Sequence, residues 1–255
     1  MKQIIRCACL VWAVVALVSC SSPNIEWVPV DESEHFTFFA AKGVEDSIPL
    51  LAKELESNYD RITTDLQVDP TEKFRVYIFA DIDTFHQASG QRGASAAHVG
   101  TTQGIDTWIV SPLNPGGALD TQEVLTAGVH EFTHALVNYI NGSLEENNYQ
   151  IPIWFNEGLA GYEAQQMIPD WRARMAQLVS ENKIPSIATD LVPDKWEQVK
   201  GFPYSITLVE YMVAEFGFDK IIAVIKSSSE VESILGVTLY ELESGWREYL
   251  HETYR

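Results

Sequence analysis

The stretch between Asp120 and Gly142 constrains this 255-residue chain more than any other part of it. Asp120 offers a side-chain acceptor suited to capping a helix. Glu123 stands three residues on, as a reciprocal cap requires. Asn141-Gly142 supplies the stop, because glycine readily takes the left-handed conformation in which helices end. A helix over 121–140 is therefore predicted. Within it His130 and His134 lie four residues apart, and four residues turn a helix through about 400°. Both imidazoles then project from one face.

Two ring nitrogens so placed can share one tetrahedral metal ion, zinc being the usual occupant, with corners left for a third ligand and a water. Glu131 sits beside that position rather than on it, where a carboxylate can act as a base toward water. With 6 His and 23 Glu in the chain, His-Glu-x-x-His arises by chance about once in eighty such sequences. Coincidence is thus a poor explanation. A third ligand is offered by Trp154-Phe155-Asn156-Glu157-Gly158-Leu159-Ala160, where Asn156 is a candidate N-cap for a helix over 157–167 and Glu157 would project from its first turn. A first-turn Glu that merely faces the helix dipole is the alternative.

The two segments His130-Glu131-Phe132-Thr133-His134 and Trp154 to Ala160 together resemble the gluzincin metallopeptidases, and especially their small peptidase MA-like bacterial relatives. The resemblance runs over much of the second half, including Tyr204-Ser205-Ile206 through Gly217 and the ending 236–250 with Trp246. It implies an α+β, zincin-like fold: a mixed-sheet N-terminal half packed on the helix of the histidines, then a mainly helical C-terminal half. It also implies one Zn2+ held by His130, His134 and Glu157, with Glu131 as general base and Tyr204 as a phenol that stabilises an oxyanion. Tyr204 reads equally well as an amphipathic-helix tyrosine at a core edge. The sequence departs from the family in several places. The gap from His134 to Glu157 is long, which a surface loop over 141–151 would absorb. The Gly-x-Met-Glu-Asn segment of the aminopeptidases is absent, which favours an endopeptidase. Gly161 stands where a thermolysin-like Asp would orient a ligand, and Glu163 is a weak substitute.

The remaining text supports the same architecture. Strands are predicted over 35–41, 74–79 and 107–110, the last extended to Ser111 as the candidate edge for pairing with an extended substrate. A helix capped by Asp46 or Ser47 places Ile48, Leu51, Leu55, Tyr59, Ile62 and Leu66 on one face. Another is expected to start at Asp83-Thr84. Residues 90–104 are small and polar and read as a mobile loop. Helices are expected over 170–180, 204–216 and 239–251, with Thr238 and Glu241 forming a capping box. His35, His86, His98 and His251 are isolated and expected at the surface; only His98 lies near the cleft strand in sequence.

The N-terminus reads as an export signal over 1–19: Lys2 and Arg6, then an apolar run too short to span a membrane. Leu17-Val18-Ser19-Cys20 resembles a bacterial lipobox, which implies lipidation of Cys20, a tether over 20–26 and a catalytic domain over 27–255; an ordinary cleaved signal is the alternative. Cys7 and Cys9 would leave with the signal, so no intramolecular disulfide is expected. The formal net charge of −19 argues against nucleic acid and against charge-driven adhesion to anionic lipid. Membrane contact would then rest on the acyl chains, and Ser21-Ser22 points to the periplasmic face of an outer membrane. The expected function is an exported, lipid-anchored zinc peptidase acting on peptides or proteins. The alternative is a non-catalytic binding or assembly lipoprotein on the same scaffold.

Overall fold

The computed structural model describes residues 25–28, 31–144, 151–227 and 230–254. The N-terminal half forms a five-stranded mixed sheet and the C-terminal half is mainly helical, the α+β arrangement expected. β1 (Asp31–Glu32) runs antiparallel to β2 (Phe36–Ala40). α1 (Ile48–Asp65) carries the chain to β3 (Phe74–Phe79), which pairs with β2 in parallel, Phe36 opposite Phe74. Parallel neighbours need a crossover rather than a tight turn, and an amphipathic helix supplies one that also covers the sheet. α1 buries Ile48, Leu51, Leu55, Tyr59 and Ile62, the face predicted from their spacing.

After α2 (Ile82–Ala88) come β4 (Gly100–Gln103) and β5 (Asp106–Val110). The sheet order is β1-β2-β3-β5-β4, so β5 lies between β3 and β4 with both of its edges paired. Two expectations are corrected here. The segment 107–111 is not a free edge. The edge strand beyond β5 is β4, inside the stretch that reads as a loop. Gly, Thr and Gln carry no apolar pattern of their own, and β4 becomes a strand through its register with β5, Gly100 opposite Ile109. α2 also starts earlier than Asp83, because Asp81 caps it by accepting from the Thr84 N–H at 2.8 Å.

α3 (Thr121–Asn141) lies across the sheet. Its ends are built as predicted: Asp120 accepts from the Glu123 N–H, Glu123 accepts from the Asp120 N–H, and Gly142 closes the helix at φ +81°. Phe132 is fully buried, edge-on to Phe36 at 5.0 Å and to Phe74 at 5.1 Å between ring centres. Two residues of helix turn through about 200°, so anchoring Phe132 in the sheet points His130 and His134 the other way.

That far side of α3 meets α4 (Ile153–Glu163), which is followed by α5 (Pro169–Ser180), α6 (Trp196–Val199), α7 (Gly201–Lys226), α8 (Val231–Leu235) and α9 (Leu239–Thr253). α4 begins four residues before Glu157. The Pro152 carbonyl, accepting from the N–H groups of Phe155 and Asn156, closes its first turn, so Asn156 is inside the helix and does not cap it. α4 packs most extensively on α7. Glycines allow the approach: a Cβ at Gly158 would lie 2.4 Å from the Ser205 carbonyl oxygen, and one at Gly161 would lie 2.6 Å from Ile206 Cγ1. α7 continues through a break at Gly217 (φ +74°), and α9 carries the predicted Thr238–Glu241 capping box. Trp246 of α9 is fully buried and donates its indole N–H to Thr207 of α7. No helix among the described residues is long and apolar enough to cross a membrane.

Candidate metal centre

α3 and α4 bring His130, His134 and Glu157 to one point. The two Nε2 atoms are 3.0 Å apart. Glu157 Oε2 is 3.4 Å from His130 Nε2, and Oε1 is 3.5 Å from His134 Nε2. Ligands about 2.1 Å from a shared tetrahedral ion are separated from one another by about 3.4 Å. The three donors thus already hold the spacing of a coordination shell, and two neutral imidazoles with one carboxylate form a donor set suited to zinc. No other group of three or more His, Cys, Asp or Glu side chains among the described residues converges in this way.

Electrostatics follow from burial and proximity. Burial pushes the His134 imidazole down to about 4, favouring the neutral ring that a metal requires. Burial also opposes charge on His130, but Glu157, Glu131 and Gln166 together raise its pKa above the ordinary value. Glu157 resists a large burial penalty because His134 and His130 face it, and its pKa is held down to about 2. The carboxylate is therefore ionised. Glu131 has no such cation to itself, and burial raises its pKa to about 7 against the opposing effects of His130 and the Thr102 hydroxyl.

Comparison with known proteins adds a distant likeness only. No protein-family model and no curated protein matches the chain. Among solved structures, the chain is similar to an M1 zinc metallopeptidase mutant from Deinococcus radiodurans. The two are 12% identical, with a TM-score of 0.40, over 90% of this chain and 51% of that one. This chain spans about half the length of that structure.

Around the three donors lies a cleft of about 780 Å3. Val99 lines it together with Gly100, Thr101 and Thr102 of β4, as do Ile151, Ile153 and Asn156. Pro193, Trp196, Glu197 and Phe202 also line it. Glu131 lies in the cleft beside the cluster, and Thr102 donates to its Oε2 at 2.8 Å.

Several residues around the cleft are not legible from the chain alone. Gln166, just beyond the end of α4, accepts from His130 Nδ1 at 2.9 Å; a neutral His130 ring then keeps its Nε2 lone pair for the metal. Glu163 does not orient a histidine. It is fully buried and pairs with Arg61 of α1 at 2.5 Å, tying α1 to α4. Gly100 and Thr102 share a face of β4, but nothing in the small, polar text of 90–104 marks that strand.

Of the other candidates, only His98 among the described residues lines the cleft. Tyr204 is buried in α7, its phenol donates to the Lys183 carbonyl at 3.3 Å, and it is not among the residues lining the cleft. His98 is exposed on the cleft rim, with its carbonyl held by His86 Nε2 at 2.8 Å. His86 is buried, contrary to the surface placement expected of it. His35 is half-buried and bonded to Glu56, while His251 is exposed as expected. Cys20 lies outside the described residues.

Proposed function

We propose that this chain is a zinc-dependent peptidase. The observation that carries the reading is the convergence of His130, His134 and Glu157 within 3.0–3.5 Å of one another with Glu131 alongside. Zinc bound by these three side chains would supply a Lewis acid that polarises a peptide carbonyl and activates water. The chain's own residues do the rest. Glu131 takes the proton of the attacking water on a carboxylate oxygen and returns it to the leaving amine. Gln166 holds the His130 ring in one orientation. β4, with no strand among the described residues on its outer side, offers backbone groups along the cleft to an extended substrate. The missing Gly-x-Met-Glu-Asn segment supports internal rather than amino-terminal cleavage. The lipobox-like run ending in Cys20 supports an exported protein anchored to the envelope by acyl chains, on the periplasmic face of an outer membrane.

The test uses recombinant residues 21–255. Zinc content is measured first, then cleavage of a denatured-protein or peptide library by the wild type and by Glu131→Gln. One zinc per chain with cleavage abolished in Glu131→Gln is the expected result. Bound zinc without any Glu131-dependent cleavage would sink the peptidase reading and leave the metal site standing. A folded protein that takes up no zinc would sink both.

A further inference from the structure

We infer that Thr102 is a positioning residue for Glu131, and that Gly100 is the clearance that makes the position available; this rests on the peptidase reading above. The two residues are two apart on β4, so they share the face of the strand that looks at α3. The Thr102 hydroxyl is 2.8 Å from Glu131 Oε2 and 2.8 Å from the Glu131 carbonyl oxygen. The single hydroxyl proton serves these two acceptors in turn or shared between them, so one buried side chain lies against both the main chain and the carboxylate of the same residue. Threonine suits this task because branching at Cβ stiffens χ1, and the strand backbone then fixes where the hydroxyl points.

Gly100 acts by what it lacks. A Cβ there would lie 2.7 Å from Glu131 Cγ and 3.0 Å from Oε1. The first contact is closer than non-bonded atoms tolerate and the second is tight, so a side chain at position 100 would displace the Glu131 side chain. The edge strand is thus shaped around one carboxylate, empty at 100 and gripping at 102. Packing alone gives no reason for this. A buried carboxylate is costly to desolvate, and an apolar residue would seal α3 against β4 at lower free energy. A glutamate has three side-chain torsions, and the Thr102 contact removes that freedom before substrate arrives. Placement of this kind commonly changes rates by about 10–100-fold when lost.

The experiment compares zinc-loaded wild type, Thr102→Val and Thr102→Ser in kcat and KM on one peptide substrate. Zinc content and melting midpoint are recorded for each, and a crystal structure is determined for metal-free Thr102→Val. The expected result is a kcat about 10–100-fold lower for Thr102→Val with KM changed by less than about 2-fold. Zinc content should be unchanged, and Thr102→Ser should recover to within about 3-fold of wild type. In the crystal the Glu131 carboxylate should have left its place beside β4. If Thr102→Val does not fold, Thr102→Ala carries the same readings. An active wild type whose Thr102→Val keeps its kcat within about 3-fold, or whose Glu131 stays unmoved, overturns this inference alone. A wild type without Glu131-dependent cleavage overturns it together with the peptidase reading.

Discussion

His130 donates through Nδ1 to Gln166 Oε1 across 2.9 Å, which couples the first histidine of α3 to the chain just past the end of α4. Gln166 lines the cleft and contacts the cluster through that ring. In the proposed site it would present Nε2 rather than bind the ion. Gln166→Ala is expected to weaken zinc binding about 10–100-fold while the fold survives. Competition against a calibrated chelator measures this, and an unchanged affinity would remove Gln166 from the site.

Because the donors are preassembled, the ion should stabilise the fold it binds. At a free zinc concentration 100 times the dissociation constant, the gain is about 2.7 kcal/mol. For a domain of this size that corresponds to about 5–10 °C in melting midpoint. Chelation should remove the increment in the wild type and change nothing in His134→Ala. Equal midpoints with and without chelator in the wild type would contradict the geometry.

Glu163 predicts a pH dependence. Burial outweighs Arg61 and raises its pKa to about 7, above the ordinary carboxylate value of 4.5. Between those values the folded chain binds more proton than the unfolded chain, so this group's contribution to stability falls as pH rises through that window. Glu163→Gln cannot titrate. The wild type should therefore lose stability relative to Glu163→Gln between pH 5 and pH 8, by at most about 3 kcal/mol. Denaturant midpoints of the two proteins across that range test the sign, and a difference that grows in the wild type's favour would refute it.

Packing should govern metal binding from a distance. Gly158→Ala places a methyl 2.4 Å from the Ser205 carbonyl oxygen and must separate α4 from α7. A cost of about 1–3 kcal/mol is expected, with weaker zinc binding because Glu157 moves with the helix. Phe132→Ala, which opens the sheet side of α3, should cost about 3–5 kcal/mol. Thermal or denaturant unfolding and zinc titration on the same samples distinguish the two. Gly158→Ala with wild-type stability and affinity would contradict the close packing of the two helices.

Local rules carried the elements whose signals are local. The α3 capping box, the α1 face of Leu51, Leu55, Tyr59 and Ile62, and the strand over Phe74–Phe79 all depend on neighbours within a few residues. α4 shows where such rules mislead: Asn156 has the chemistry of an N-cap, but Pro152 is better placed to start the helix.

By itself the sequence determined the candidate donors His130 and His134, the base beside them and the acidic surface, because a four-residue spacing on a well-capped helix leaves the imidazoles no other relative placement. Only the tertiary structure decided which outside residues surround them. Glu157 reaches the histidines because α4 packs on α3 as well as on α7, while Tyr204 turns to Lys183. Thr102, Gly100 and Gln166 reach the cleft because β4 pairs with β5 and the chain turns beyond α4. Such contacts between distant segments come from packing and strand register, which no local spacing encodes.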